Sequence, residues 1–181
     1  MTVHRITETL ALKLVDYSDA NELFLLTDAN RAHLRKWLPW LDETKSVEHT
    51  ESFIHNTKLA YDEQKGMSFV ILLDGNIVGT ISYNQIDWTN KIAYIGYWLS
   101  KDQQGKGIMT KAAEYLTEYA FSTLNLNRVE ITAAVENKKS RAIPERLGFK
   151  LEGMRRQAQW LYDHYVDHAI YGMLKNEWKE N

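Results

Sequence analysis

The residues best suited to binding chemistry lie in one short segment, 104–110, with the sequence Gln-Gly-Lys-Gly-Ile-Met-Thr. Gly105 and Gly107 stand between a predicted strand and a predicted helix. Because glycine has no Cβ, backbone N–H groups there can converge on an anion at the positive end of the helix. The spacing indicates a cradle for a pyrophosphate, although a tight strand-to-helix turn would use the same two glycines.

Two better-known phosphate loops do not match this segment. The P-loop places Ser or Thr after its Gly-Lys pair, whereas here Lys106 is followed by Gly107. The dinucleotide fingerprint requires a third glycine where Thr110 stands. The segment therefore predicts a phosphate site of another kind.

The elements that must position this segment follow from apolar periodicity and turn residues. In chain order, the patterns predict a strand at 10–14, helices from an N-cap at Ser18 and from near Ser46, a hairpin of strands 67–73 and 77–86 around Asp74-Gly75-Asn76, a strand at 92–99, a helix ending before Asn125, a strand at 129–135, a short helix between Ser140 and Leu147 closed by Gly148, and strands at 149–161 and 165–174.

The predicted order, β-α-α-β-β-β-α-β-α-β-β, indicates an α/β fold in a single domain spanning 1–181. Its mixed, mostly antiparallel sheet should be flanked by helices and change direction at the helical crossover after Leu99. Ligands of open α/β sheets bind at the carboxyl ends of strands where the topology switches. The glycine segment falls at that place.

Composition excludes several classes of function. The 22 basic residues nearly cancel the 24 acidic ones, so no direct nucleic-acid partner is expected. The sequence has no cysteine, which rules out disulfides, thiolate metal sites and an acyl-cysteine intermediate.

No segment resembles a signal peptide or the run of about 18 apolar residues that spans a membrane, so we expect a soluble, cytoplasmic protein with no membrane partner. His164 and His168 share a strand face but lack a third ligand, so no metal is expected.

The glycine segment resembles the acetyl-coenzyme A loop of the GNAT superfamily, which has the pattern Gln/Arg-x-x-Gly-x-Gly/Ala. Gln104 and Gly107 match it, and Met109 departs from it at the last position. A methionine there resembles the Rim-type branch, whose members acetylate the N-termini of ribosomal proteins. Other segments resemble that branch in the same order along the chain: 34–41 with its Trp-Leu-Pro-Trp run, 95–99 in a predicted strand, and 137–140 followed by 147–149.

This resemblance implies acetyl-CoA as co-substrate and a set of residues that bind it. The pyrophosphate should lie on the backbone amides of Gln104, Gly105, Lys106, Gly107, Ile108, Met109 and Thr110. The pantetheine arm should pair like an extra strand with the backbone near Trp98 and Leu99, where an N–H could stabilise the oxyanion. Asn137 should hydrogen-bond the cofactor, although an Asn at that place could instead cap a helix.

Acetyl transfer to an amine requires a neutral amine, a polarised thioester and a proton donor for the departing thiolate. Without a cysteine, direct attack within a ternary complex is expected. The resemblance implies Ser140 as the catalytic proton donor; its alternative role is N-cap of the short helix. Pro144 cannot donate to the Ser140 carbonyl, so either the helix starts after Ser140 or that carbonyl is free.

The general base is not evident from the sequence. Some relatives carry Gln-Ala-Glu in the penultimate strand, with the Glu acting through water, whereas this chain has Gln157-Ala158-Gln159. An α-amine with a pKa of about 8 is roughly a tenth neutral at pH 7, and a lysine with a pKa of about 10.4 is less than a thousandth neutral. The missing carboxylate therefore favours an α-amine acceptor. The remaining candidate bases are Asp163, Asp167, His164 and His168.

Taken together, these features predict an acetyl-CoA-dependent N-acetyltransferase acting on the N-terminal α-amine of a protein. Trp37 and Trp40 are predicted near the acceptor entrance, or alternatively in the core. A small-molecule enzyme acting on a polyamine, amino sugar or amino acid would have the same cofactor half. A coenzyme A-binding module without catalysis is a third alternative, kept open by Gln159. A homo-oligomer also stays open, because the aromatic last strands offer apolar edges.

Overall fold

A computed structural model describes residues 3–178 of the 181-residue chain. The strands are β1 (Val3–Arg5), β2 (Leu10–Leu14), β3 (Met67–Leu73), β4 (Asn76–Asp87), β5 (Ile92–Leu99), β6 (Arg128–Ala134), β7 (Lys150–Leu161) and β8 (His164–Leu174). The helices are α1 (Ala20–Ala29), α2 (Arg31–Leu34), α3 (Val47–Asp62), α4 (Ile108–Ser122), α5 (Lys138–Arg146) and α6 (Lys175–Trp178). In this part of the chain the strands form one sheet in the order β1-β2-β3-β4-β5-β6-β8-β7, which confirms the mixed α/β prediction.

The predicted hairpin of β3 and β4 is present with the expected turn. Asp74 and Gly75 have φ values of 50° and 84°, the left-handed geometry that two-residue hairpin turns require. Strands β3, β4 and β5 are then antiparallel neighbours. The meander predicted from the sequence is confirmed.

The single parallel contact among the described strands lies between β5 and β6, and it is short. Pairing runs only from Ile92 opposite Arg128 to Ile95 opposite Ile131. Beyond Ile95, β5 remains paired to β4, and β6 remains paired to β8. The sheet therefore opens between β5 and β6 toward the carboxyl ends of both strands.

Helices cover both faces of the sheet, and β3 illustrates why. Phe69 and Ile71 belong to the large core that includes the apolar side of α4, whereas Val70 packs with residues of α1 and α3. Alternate residues of a strand point to opposite faces. The continuous apolar sequence of β3 is therefore explained by burial on both sides.

Several boundaries differ from the sequence predictions. Ser18 is not the N-cap of a helix: a 3₁₀ turn at Tyr17–Asp19 precedes α1. In that turn the Asp19 carboxylate accepts from the backbone N–H of Asp16 at 3.0 Å. Helix α5 begins at Lys138 rather than at or after Ser140, because Asn137 provides the cap. Strand β1 and helices α2 and α6 were not predicted, because each is too short to carry a periodic signal.

Among residues 3–178 no helix is long and apolar enough to cross a bilayer.

Candidate active site

The opening between β5 and β6 leads into a cavity of about 580 Å³. Its walls come from the segment after α2, the start of α3, strands β4 and β5, the ends of β6 and β8, the cap of α5 and the end of β7. Five of the residues predicted to bind or react line it: Trp37, Trp40, Trp98, Asn137 and Ser140. Gln159 and His168 line it as well.

The glycine segment lies at the N-terminus of α4, outside this lining. Gly105 and Gly107 have φ values of 76° and 74°, and a Cβ on either would meet no protein atom within 4 Å. Ile108 and Met109 bury their side chains in the core, so a ligand could meet only their backbone. No side chain within the described residues caps α4, which leaves its first N–H groups available to an anion.

Gln104 joins three elements beside this helix end. Its Nε2 donates to Nε2 of His33 at 2.8 Å, and its Oε1 accepts from Nζ of Lys139 at 3.1 Å. Desolvation, followed by the positive charges of Lys139 and Lys101 and a further lysine, lowers the pKa of His33. The potential around Gln104 is therefore positive, as an anionic ligand requires.

Asn137 and Ser140 occupy the first turn of α5. The Asn137 side-chain oxygen accepts from the backbone N–H of Ser140 at 3.2 Å, so Asn137 has the helix-capping role that the sequence left open. Ser140 is not the N-cap. Ser140 is one of the residues that line the cavity, and its hydroxyl is not needed to cap the helix.

The Ser140 carbonyl has an unexpected donor. Because α5 includes both Ser140 and Pro144, proline removes the N–H that would normally bond this carbonyl. The Tyr97 hydroxyl donates to it instead, at 3.0 Å, and burial raises the pKa of Tyr97 well above its usual value. The Tyr97 side chain on β5 thus makes a hydrogen bond across the opening of the sheet to the first turn of α5.

A bulge in β4 shapes the same wall. Pairing with β5 shifts register between Tyr83 and Gln85, which leaves Asn84 as the extra residue. Gly96 on β5 makes room for it, because a Cβ there would lie 2.2 Å from Nδ2 of Asn84. Asn84 and Gly96 both line the cavity. The sequence analysis assigned no role to Asn84.

The β7–β8 turn contacts the cavity wall at Leu38. Tyr162 donates its hydroxyl to the Leu38 carbonyl at 2.5 Å, and the Arg35 guanidinium stacks over its ring at 3.8 Å. Trp37 and Trp40, half-buried, flank this contact. The predicted position of both tryptophans beside the cavity is thus observed, while their contact with an acceptor stays a prediction.

Polar side chains of the cavity wall carry little charge. Nε2 of His168 donates to Oε1 of Gln159 at 3.0 Å. Among the described residues that line the cavity there is no Asp or Glu. Within residues 3–178 no three His, Asp or Glu side chains are grouped to hold a metal.

The chain matches the family described as "Acetyltransferase (GNAT) domain" over residues 9–150. It belongs to the GNAT acetyltransferase family. YdaF of Bacillus subtilis (strain 168) is 39% identical over 176 residues, which cover 97% of this chain and 96% of that protein. The ribosomal-protein-serine acetyltransferase of Escherichia coli (strain K12) is 31% identical over 170 residues, 94% of this chain and 95% of that protein.

A solved structure confirms the fold and the co-substrate of this family. RimL, a ribosomal alpha-N-protein acetyltransferase in complex with coenzyme A, superposes with a TM-score of 0.92 and 31% identity, covering 97% of this chain and 99% of that one. This GNAT protein is therefore an N-acetyltransferase that uses acetyl-CoA. In this chain, the open space beside Gly105 and Gly107 fits the anionic pyrophosphate of that co-substrate.

Replacement of Gly107 by Val tests whether the glycine segment is a cradle. The change forces a β-branched residue to a φ of 74° and fills the open space, so coenzyme A affinity should fall by about tenfold or more. Gly75→Val is the matched control, because Gly75 has a φ of 84° and equally open surroundings in the β3–β4 turn. Equal coenzyme A affinity of the two variants by calorimetry would mean that the segment is only a turn.

Replacement of Tyr97 by Phe tests the tie between β5 and α5. Leaving the Ser140 carbonyl without its donor should cost about 1–3 kcal/mol in the free energy of unfolding, measured in urea. Tyr94→Phe is the control on the same strand, because no hydrogen bond of residues 3–178 involves its hydroxyl. An equal effect of both changes would show that the Tyr97 hydroxyl contributes nothing.

Proposed function

We propose that this GNAT enzyme acetylates the N-terminal α-amine of a protein, with a ribosomal protein as the acceptor. The observation that carries the proposal is the cavity lining, which holds no Asp or Glu among the described residues. An α-amine is already roughly a tenth neutral at pH 7, so it needs the least help from a base. A polyamine would bring two or more cationic groups into a cavity without a carboxylate to pair with them.

The relatives support the same acceptor. The Escherichia coli protein acts on a serine of a ribosomal protein, and RimL is a ribosomal alpha-N-protein acetyltransferase. A ribosomal acceptor would place the enzyme in the cytoplasm. The exposed Trp160 and Tyr165, in edge-to-face contact on the β7–β8 hairpin, would suit a second copy of the chain.

The cofactor would extend from the start of α4 into the sheet opening. The backbone amides of residues 104–110 would hold the pyrophosphate, supported by the positive potential around Gln104. The pantetheine arm would pair with β5 near Trp98 and Leu99, on the side that β6 leaves open. Asn137, whose oxygen caps α5, has its amide NH₂ left to donate to the cofactor. Acetyl-CoA supplies the acetyl group as a thioester.

Ser140 would donate a proton to the coenzyme A thiolate. Ser140 lines the cavity, and its backbone is fixed on both sides: Asn137 accepts from its N–H, and Tyr97 donates to its carbonyl. A side chain held in this way loses little entropy when it reaches the reacting sulfur. The position, more than the residue type, supports the assignment.

A thiol-release assay tests the acceptor. Peptides with free Ala, Ser or Met N-termini should be acetylated, whereas the same peptides with a blocked N-terminus and an internal lysine should react at least about tenfold more slowly, because lysine is protonated. Spermidine should be a poor substrate. Faster turnover of spermidine or of the blocked peptides would contradict the proposal. No turnover with any amine despite tight coenzyme A binding would favour a non-catalytic module.

Replacement of Ser140 by Ala tests the proton donor. Turnover should fall by about 100-fold, the usual contribution of a general acid, with little change in coenzyme A affinity. Ser122→Ala is the control, because Ser122 lies at the end of α4 and its hydroxyl bonds the Glu118 carbonyl. Full activity of the Ser140 variant would remove this residue from the mechanism.

A further inference from the structure

The described cavity wall contains two imidazole side chains, those of His49 and His168. His49 is exposed at the start of α3, where its Nδ1 lies 3.0 Å from the Ser46 hydroxyl. His168 is half-buried on β8, opposite Ala134 at the end of β6. The chain continues from Ala134 to Asn137 and Ser140, and all four residues belong to the same cavity wall.

A bulge in β7 brings Gln159 to His168. The two strands pair at Arg155 opposite His168 and again at Gln159 opposite Val166. Regular pairing would place Gln157 opposite Val166, so the bulge inserts two extra residues. It is held by the Gln157 N–H, which donates to the Asp167 carboxylate at 2.7 Å.

The other candidate bases are engaged elsewhere. Asp163 and His164 form an exposed pair at the β7–β8 turn, with 2.6 Å between Oδ1 and Nδ1. Asp167 holds the bulge of β7 and does not line the cavity. Of the four bases that the sequence left open, the cavity wall contains His168 alone.

We propose that His168 is the general base that accepts a proton from the acceptor ammonium, with Gln159 as the residue that positions it. As the amine nitrogen bonds to the acetyl carbon, the C–S bond breaks. One ammonium proton passes to His168 and on to solvent, and the second replaces the proton that Ser140 gives to the thiolate. The inference rests on acetyl transfer to an amine and not on which amine accepts.

Gln159 explains how His168 stays a base. With Oε1 facing Nε2, the imidazole carries its hydrogen on Nε2 and keeps the lone pair of Nδ1. A carboxylate in place of Gln159 would pair with the imidazolium and favour the protonated form. The amide orients the ring without adding a charge.

The surroundings also favour the neutral imidazole. Burial is the main cause that lowers the pKa of His168, the Arg155 guanidinium on β7 lowers it further, and Asp167 on β8 opposes them. Ala134 on β6 carries no charge. Because the pKa of His168 is lowered, its neutral, proton-accepting form persists to lower pH than that of a free imidazole and is lost as the pH falls through the lowered value.

The test is the pH dependence of kcat/KM for His168→Gln, measured from pH 5.5 to 9.5 with the best amine of the wild-type enzyme. The wild type should reach its plateau by about pH 7. The kcat/KM of the variant at pH 7 should be about 100-fold lower than that of the wild type. The acidic limb of its pH profile should move toward the amine's own pKa of about 8. Unchanged coenzyme A affinity and Tm would show that the fold is intact.

Three further variants make the result decisive. Gln159→Glu should move the acidic limb of the profile to higher pH, because the new carboxylate raises the pKa of His168. His164→Gln, at the exposed turn, should leave the profile unchanged. A His49→Gln profile that shifts while the His168→Gln profile does not would overturn the proposal.

A readout that needs no turnover separates this inference from the acceptor assignment. Titration of the histidine Cε1–H resonances by NMR should give His168 a pKa below 6.5. A value above 7 would contradict the proposal, whichever amine the enzyme acetylates. Conversely, a preference for lysine peptides in the acceptor panel would overturn the α-amine proposal and leave His168 as the base.

Discussion

The site depends on one constraint in the sheet: the parallel pairing of β5 with β6 stops after Ile95 and Ile131. Each strand then follows its outer neighbour, β4 or β8, and the two diverge. The divergence leaves one side of the β5 backbone open near Trp98 and creates the cavity. The Asn84 bulge, accommodated by Gly96, alters the register of β4 against β5 on the same wall.

An opening in a sheet removes hydrogen bonds between strands, so the elements beside it must be held by other hydrogen bonds. Tyr97 supplies one by donating across the gap to the Ser140 carbonyl, which Pro144 leaves without a helical donor. Tyr162 of the β7–β8 turn makes a second such hydrogen bond by donating to the Leu38 carbonyl. These contacts hold α5 and the β7–β8 turn around the cavity. The proposed proton-transfer residues, Ser140 and His168, therefore lie on elements that these hydrogen bonds hold in place.

The two ends of the site differ in charge. Burial and, after it, the nearby lysines lower the pKa of His33, which bonds Gln104, and the positive charge of these lysines suits a cofactor carrying phosphates. The described cavity wall has histidines and amides but no carboxylate. Neutral proton acceptors suffice for an amine with a pKa near the pH of the solution. The positive region around Gln104 and the uncharged cavity wall therefore suit the cofactor phosphates and the amine that we propose for them.

Local patterns were enough to predict the meander, the helix after the glycine segment and the left-handed turn at Gly75, because each is set by neighbours in the sequence. Pro144 also left two possibilities, a helix that starts after Ser140 or a Ser140 carbonyl without a helical donor, and the second is observed. The donor to that carbonyl could not be foreseen, since Tyr97 lies 43 positions away and no spacing rule links them. Nor could the β7 bulge, which decides that Gln159 rather than Gln157 meets His168.

Amide hydrogen exchange with and without coenzyme A tests the central claim that the opening between β5 and β6 receives the cofactor. The account predicts new protection in two places at once, at residues 96–99 of β5 and at residues 105–110 before and within α4. Protection of the α4 segment without any change in β5, or in neither segment at saturating coenzyme A, would contradict it.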